Sequence, residues 1–175
     1  MSLSPVMAMR AAGLLAGMCL VALLALQTWR VPASPRAAGV EADLRAVPSG
    51  EVGVSPAGAV LGRGAVMTPG GPPVRGRVRL SNRTAGALAA RPLVAGGDRA
   101  LDRVVEIELT VAGRVVFRGP LGGLRDGVST TSVPLPRAGS ATVVVSARVP
   151  AAAADEAVGR AGRWTLTFSS SSETR

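Results

Sequence analysis

Apolar and polar positions alternate with a period of two along the clearest segments of this chain, the pattern of a half-buried β-strand. Val74–Leu80 reads V-R-G-R-V-R-L, so Val74, Gly76, Val78 and Leu80 face one way and Arg75, Arg77 and Arg79 the other. In Val104–Val111, Val105, Ile107, Leu109 and Val111 share a face opposite Glu106, Glu108 and Thr110. Trp164–Phe168 alternates W-T-L-T-F, and Thr142–Val149 is rich in β-branched residues and stopped by Pro150. Glu51–Ser55, Leu88–Val94 and Ser129–Leu135 are weaker strand candidates. Ala112-Gly113 joins Val104–Val111 to Arg114–Arg118 as a tight hairpin, and Ser81-Asn82 closes the Val74 strand. Ala151–Val158 is the one helical candidate, of about two turns. The expected fold is all-β: an antiparallel β-sandwich, Ig-like or jelly roll, of about seven or eight short strands, following an N-terminal apolar helix and spanning residues 51–169.

The N-terminal end has a different texture. Ala11–Leu26 is uncharged and apolar, with Arg10 before it and Arg30 after it. A secretory signal carries ~7–15 apolar residues, and a membrane span needs about 20. Residues 1–30 therefore fit either a signal peptide, with the break after Ala33, or a retained anchor holding the chain in the plasma membrane by residues 11–29. Cys19 lies inside this segment behind Met18, where a lipid-attachment signal wants a small residue. Gly13 and Gly17 have the spacing of a helix-pairing motif, which arises readily in an Ala/Gly-rich segment. Residues 31–50, rich in Pro, Ala and Arg, read as a linker or arm, and the Ser-rich residues 170–175 as a disordered tail.

Composition narrows the chemistry. The 175 residues carry 20 Lys plus Arg against 11 Asp plus Glu, for a formal charge of +9, and every basic residue is Arg. Exclusive Arg with abundant Ala, Gly, Val and Pro points to a GC-rich genome. There is no His and no Tyr, and the single Cys lies in the leader. The commonest general base and transition-metal ligand is therefore missing, as are Ser-Lys and Schiff-base chemistries. Glu106 and Glu108 share a strand face about 6.5–7 Å apart, a separation known from glycosidase pairs, but acids on the wet face of a strand stay solvated. Asp98 and Asp102 are too isolated for a calcium loop. The glycines around Gly70 and Gly122 lack the following helix and Lys of a phosphate loop. Asn82-Arg83-Thr84 matches the N-glycosylation pattern. No catalytic, cofactor or metal site is expected.

The sharpest charge feature is the row Arg75, Arg77 and Arg79. It is the candidate contact for an anionic polymer or protein partner. Two structural roles compete with that one: pairing with the Glu106/Glu108 row on a neighbouring strand, and guarding a sheet edge.

The order of the short motifs carries a resemblance. Met67-Thr68-Pro69-Gly70 precedes a strand ending in Ser81-Asn82. Leu101–Val111 leads to a Gly turn, and Val116-Phe117-Arg118-Gly119-Pro120-Leu121 makes a G-x-L step. Leu135-Pro136-Arg137-Ala138-Gly139-Ser140 then leads into Val143–Pro150, and an Ala-rich stretch with Gly159 into Trp164–Phe168. Over roughly Ala59–Ser169 this series resembles the secreted camelysin and TasA-like biofilm-matrix proteins, although Arg137-Ala138 splits the second Pro-Gly. The resemblance implies an Ig-like or jelly-roll sandwich and a role as a surface or matrix subunit. It also implies self-assembly in which an extended segment, here Val40–Ser55, completes a neighbour's sheet. The metalloprotease label given to some members finds no support in a chain without His.

The sequence thus predicts an exported, non-enzymatic protein of the extracellular space or cell surface. It would work as a structural subunit, or alternatively as a module binding an anionic cell-wall polymer or protein partner. Membrane contact would be confined to an uncleaved N-terminal segment, and nucleic acid is not an expected partner.

Overall fold

Residues whose apolar side chains fall at every second position bury one face and leave the other wet, and the strands of this chain follow that rule. The computed structural model describes residues 39–125 and 131–172. The segment expected to be a signal or anchor, the first part of the arm, Ser129 and Thr130, and the last three residues of the tail lie outside the described residues.

Eleven strands are present among the described residues: β1 (Val40–Val47), β2 (Val52–Ser55), β3 (Gly58–Ala59), β4 (Ala65–Met67), β5 (Val74–Asn82), β6 (Leu88–Gly96), β7 (Glu106–Val111), β8 (Arg114–Pro120), β9 (Val133–Leu135), β10 (Ser140–Arg148) and β11 (Ala161–Ser172). They form two sheets. The first runs β3-β1-β11-β6-β9, with β4 also paired to β1; the second runs β2-β5-β10-β7-β8. Every pairing between strands is antiparallel except β1 with β11, which run parallel from Glu41 opposite Ala161 to Val47 opposite Thr167.

The two sheets share one apolar core. Leu44 on β1, Leu80 on β5, Ile107 and Leu109 on β7, and Trp164, Leu166 and Phe168 on β11 are all essentially inaccessible to solvent. The inward faces of β5, β7 and β11 are the ones the alternation predicts. The β7–β8 hairpin forms as expected, its turn made by Ala112 at φ 49° and Gly113 at φ 79°.

Several elements differ from expectation. The stretch that reads as a linker contains β1, whose Val40, Ala42, Leu44 and Ala46 are all buried. Its period of two is genuine, but half of its inward positions are Ala, which buries little area and gives a weak apolar signal. Strands β3 and β4 are too short to show any period, and together with β1 they raise the count to eleven where seven or eight are expected. A helix, α1 (Arg99–Val104), precedes β7; Asp98 caps it by accepting the Ala100 N–H at 2.8 Å. Ala151–Val158 holds a 3-10 turn, Ala151–Ala153, and the short helix α2 (Ala154–Ala157). β11 extends to Ser172, into the stretch expected to be disordered, because its backbone pairs with β6 as far as Leu88 whatever the side chains are.

Two buried polar side chains pin loops to this frame. Asn82 donates from Nδ2 to the carbonyls of Gly86 (2.7 Å), Pro136 (3.0 Å) and Leu135 (3.3 Å), while its Oδ1 accepts from the Thr84 N–H and hydroxyl. Asn82 is not at a positive φ, so it closes β5 by bonding through its side chain and not by a left-handed turn. Its amide nitrogen is committed, which removes Asn82-Arg83-Thr84 as an acceptor for a glycan in the folded chain. Asp102 is the second, held among α1, β11 and Arg125.

Candidate functional site: the arginine face of the second sheet

On β5, the inward positions Val78 and Leu80 anchor the strand in the core, and this forces Arg75, Arg77 and Arg79 onto the opposite, exposed face. Between the two inward faces, Gly76 is required: a Cβ there would lie 1.8 Å from the Val60 carbonyl oxygen. A side chain at 76 would push the loop after β3 off the sheet.

The register lays out the face row by row. Arg75 stands opposite Ser146 of β10, Ser146 opposite Glu108 of β7, and Glu108 opposite Arg118 of β8. In the next row Arg77 faces Val144, then Thr110. Arg79 faces Thr142. Beyond Ser146, Arg148 faces Glu106.

This arrangement corrects one expectation. The arginine row and the Glu106/Glu108 row are not on neighbouring strands; β10 lies between them, which places their backbones about 10 Å apart. Each acid has another partner. Glu108 takes Arg118 at 2.5 Å and Glu106 takes Arg148 at 2.6 Å. β10 flanks β5 along Val74–Ser81, but β2 pairs with it only from Arg79 to Asn82, so among the described residues Arg75 and Arg77 stand where that side of β5 has no paired strand, and edge protection remains open to them.

The three arginines differ in what holds them. Arg79 donates to the Ser140 hydroxyl from Nε and from a terminal nitrogen, at 3.2 and 2.9 Å. Arg75 and Arg77 make no hydrogen bond or ion pair among the described residues. They border two adjoining shallow depressions. One, of about 320 Å³, is lined by Arg75, Ser146, Glu108, Arg118 and Arg148; the other, of about 720 Å³, by Arg75, Arg77, Thr110 and Ser146. With the two acids neutralised, the positive charge of the row is uncompensated. The face can attract an anion and offer guanidinium and hydroxyl donors to it.

Arg118, Arg148 and Ser146 were not picked out from the sequence. Each lies in a strand at an outward position, which is readable, but their proximity to the arginine row depends on strand order, which is not. Among the described residues no group of three or more His, Cys, Asp or Glu is placed to hold a metal. No helix among them is long and apolar enough to cross a membrane. The sequence matches no protein-family model and no curated protein.

Proposed function

We propose that this is an exported, non-enzymatic protein of the cell surface, a jelly-roll sandwich that binds an anionic polymer of the envelope through Arg75, Arg77 and Arg79. The observation that carries the reading is the uncompensated charge of Arg75 and Arg77 beside a groove whose own acids are already paired. Export rests on the apolar segment Ala11–Leu26. Strand order favours the jelly roll over the Ig-like alternative. Counting β1, β5, β6, β7, β8, β9, β10 and β11, one sheet runs first-eighth-third-sixth and the other second-seventh-fourth-fifth, the order made by rolling two Greek keys together. An Ig sandwich keeps its first two strands in one sheet; here β1 and β5 are in different ones. Co-sedimentation of the full chain with isolated envelope material tests the reading. The wild type should pellet at low salt and be released as salt rises, and Arg75→Ser/Arg77→Ser/Arg79→Ser should stay in the supernatant. Equal pelleting of the two would sink it.

A second reading, a matrix subunit assembling by strand donation as the camelysin and TasA-like resemblance implies, is favoured by β1. A jelly roll wound wholly from antiparallel strands would set its first strand antiparallel to its last, whereas β1 lies parallel to β11. A segment seated against the prevailing direction, filling a groove with four buried side chains, is one that a neighbouring copy could supply instead. Arg45 and Thr165 are register partners. Oxidising an Arg45→Cys/Thr165→Cys pair in a Cys19→Ser background should therefore link separate chains if the strand is donated. Intrachain disulfides alone, under conditions where the protein assembles, would exclude donation.

A further inference from the structure

We infer that the polymer bound by this face is a linear phosphodiester of three-carbon alditol units, one phosphate per repeat, lying along β5. The inference rests on the anion-binding reading above and names the ligand class. Its first support is covalent geometry. Arg75, Arg77 and Arg79 alternate along one extended strand, so consecutive guanidinium stems leave the backbone six bonds apart, Cα to Cα, about 6.5–7 Å. A chain of glycerol phosphate also has six bonds from one phosphorus to the next, through O, three carbons and O. Stretched along β5, such a polymer brings successive phosphates to successive arginines without either chain bending.

The second support is what surrounds the row. Arginine's planar fork suits phosphate oxygens, and Arg75 and Arg77 have no other partner among the described residues. Beside them stand the hydroxyl residues Ser146 and Thr142 of β10, suited to a hydroxylated linker between phosphates. Single-stranded nucleic acid has the same six-bond repeat, but proteins that bind it without sequence preference stack its bases on aromatic side chains. This face offers none: Trp164 and Phe168 are buried in the core, and Phe117 pairs with the inward Leu109. The absence of a stacking platform favours the alditol polymer.

The test titrates the purified full chain with four probes at low salt: a synthetic glycerol-phosphate oligomer, oligothymidylate of equal charge, hyaluronan with its more widely spaced carboxylates, and an uncharged dextran. The glycerol-phosphate oligomer should bind tightest. Its log Kobs should fall against log salt with a slope of about −2 for three phosphates, and the slope should become shallower by about 0.7 for each arginine removed, as in Arg77→Ser alone. Arg75→Ser/Arg77→Ser/Arg79→Ser should lose roughly tenfold or more in affinity with an unchanged circular dichroism spectrum. Arg63→Ser/Arg91→Ser/Arg99→Ser, which removes the same charge elsewhere, should change it little. Hyaluronan binding as well as the oligomer would overturn the spacing inference while leaving anion binding in place. Oligothymidylate binding equally or more tightly would assign the face to single-stranded nucleic acid. Equal losses in the two triple variants, or no binding by any polyanion, would bring down both the inference and the reading beneath it.

Discussion

Trp164 donates its indole N–H to Asp102 Oδ1 at 2.8 Å, and both side chains are buried. The other carboxylate oxygen accepts from Arg125, which also donates to the Gly96 carbonyl. One carboxylate thus ties α1, the first residues of β11, the end of β6 and the segment after β8 into a single corner of the core. Asp102→Ala should destabilise the fold by about 3–5 kcal/mol, because Arg125 and the indole would keep their desolvation and lose their acceptor. Asp102→Asn keeps an acceptor for the indole and should lose less. Urea unfolding midpoints of the two variants check the order.

Asn82 offers a second, uncharged version of the same device. Its amide joins the end of β5 to the Gly86 turn and to the carbonyls of Leu135 and Pro136. Asn82→Ala should cost about 1–3 kcal/mol by orphaning those groups. Asn82→Asp should be worse at neutral pH, since a carboxylate would face three carbonyl oxygens that it cannot donate to. Thermal unfolding separates these outcomes, and a smaller loss for Asp than for Ala would refute the bonding pattern.

Acid should loosen the start of α1. The Ala100 N–H, and after it Arg160, hold the Asp98 carboxyl below its ordinary value. Because the folded value is the lower one, Asp98's contribution is complete above the ordinary Asp range and is lost as pH falls through the folded value. The melting temperature of wild type should therefore drop on the acid side more steeply than that of Asp98→Asn, which keeps the cap and cannot titrate. Parallel acid limbs for the two proteins would contradict this.

The Trp164 indole packs against two glycines, Gly162 at its six-membered ring and Gly97 at its five-membered ring. A Cβ at Gly162 would lie 2.0 Å from the ring, and one at Gly97 would lie equally close to the indole nitrogen. The indole N–H is also bonded to Asp102, so a shift of the ring would strain that hydrogen bond. Gly162→Ala should cost about 1–3 kcal/mol through overpacking and alter the near-ultraviolet tryptophan signal. An unperturbed signal at wild-type stability would show that the ring is free to move.

What the sequence made legible was the direction each side chain faces. Period-two alternation in β5, β7 and β11 correctly assigns Val78, Ile107 and Trp164 to the core and the three arginines to the outside, because burial of one face is a local property of a strand. Strand order is not local. Nothing near Arg75 or Glu108 in the sequence says that β10 inserts between them, so their expected pairing gave way to Glu108 with Arg118 and Glu106 with Arg148. β1 escaped notice because Ala42 and Ala46 carry little hydrophobic signal. α1 leaves no sequence signal because six residues are too few for a helical period.

The parallel union of β1 and β11 also sets a timetable. Glu41 finds its β11 ladder partner only at Ala161, although the other edge of β1 pairs with the nearer β3 and β4, so a chain emerging N-terminus first from a ribosome carries the β11 edge of β1 open until Ala161 has emerged. Contacts of such long sequence separation form slowly. The first sheet therefore closes only when β11 arrives between β1 and β6.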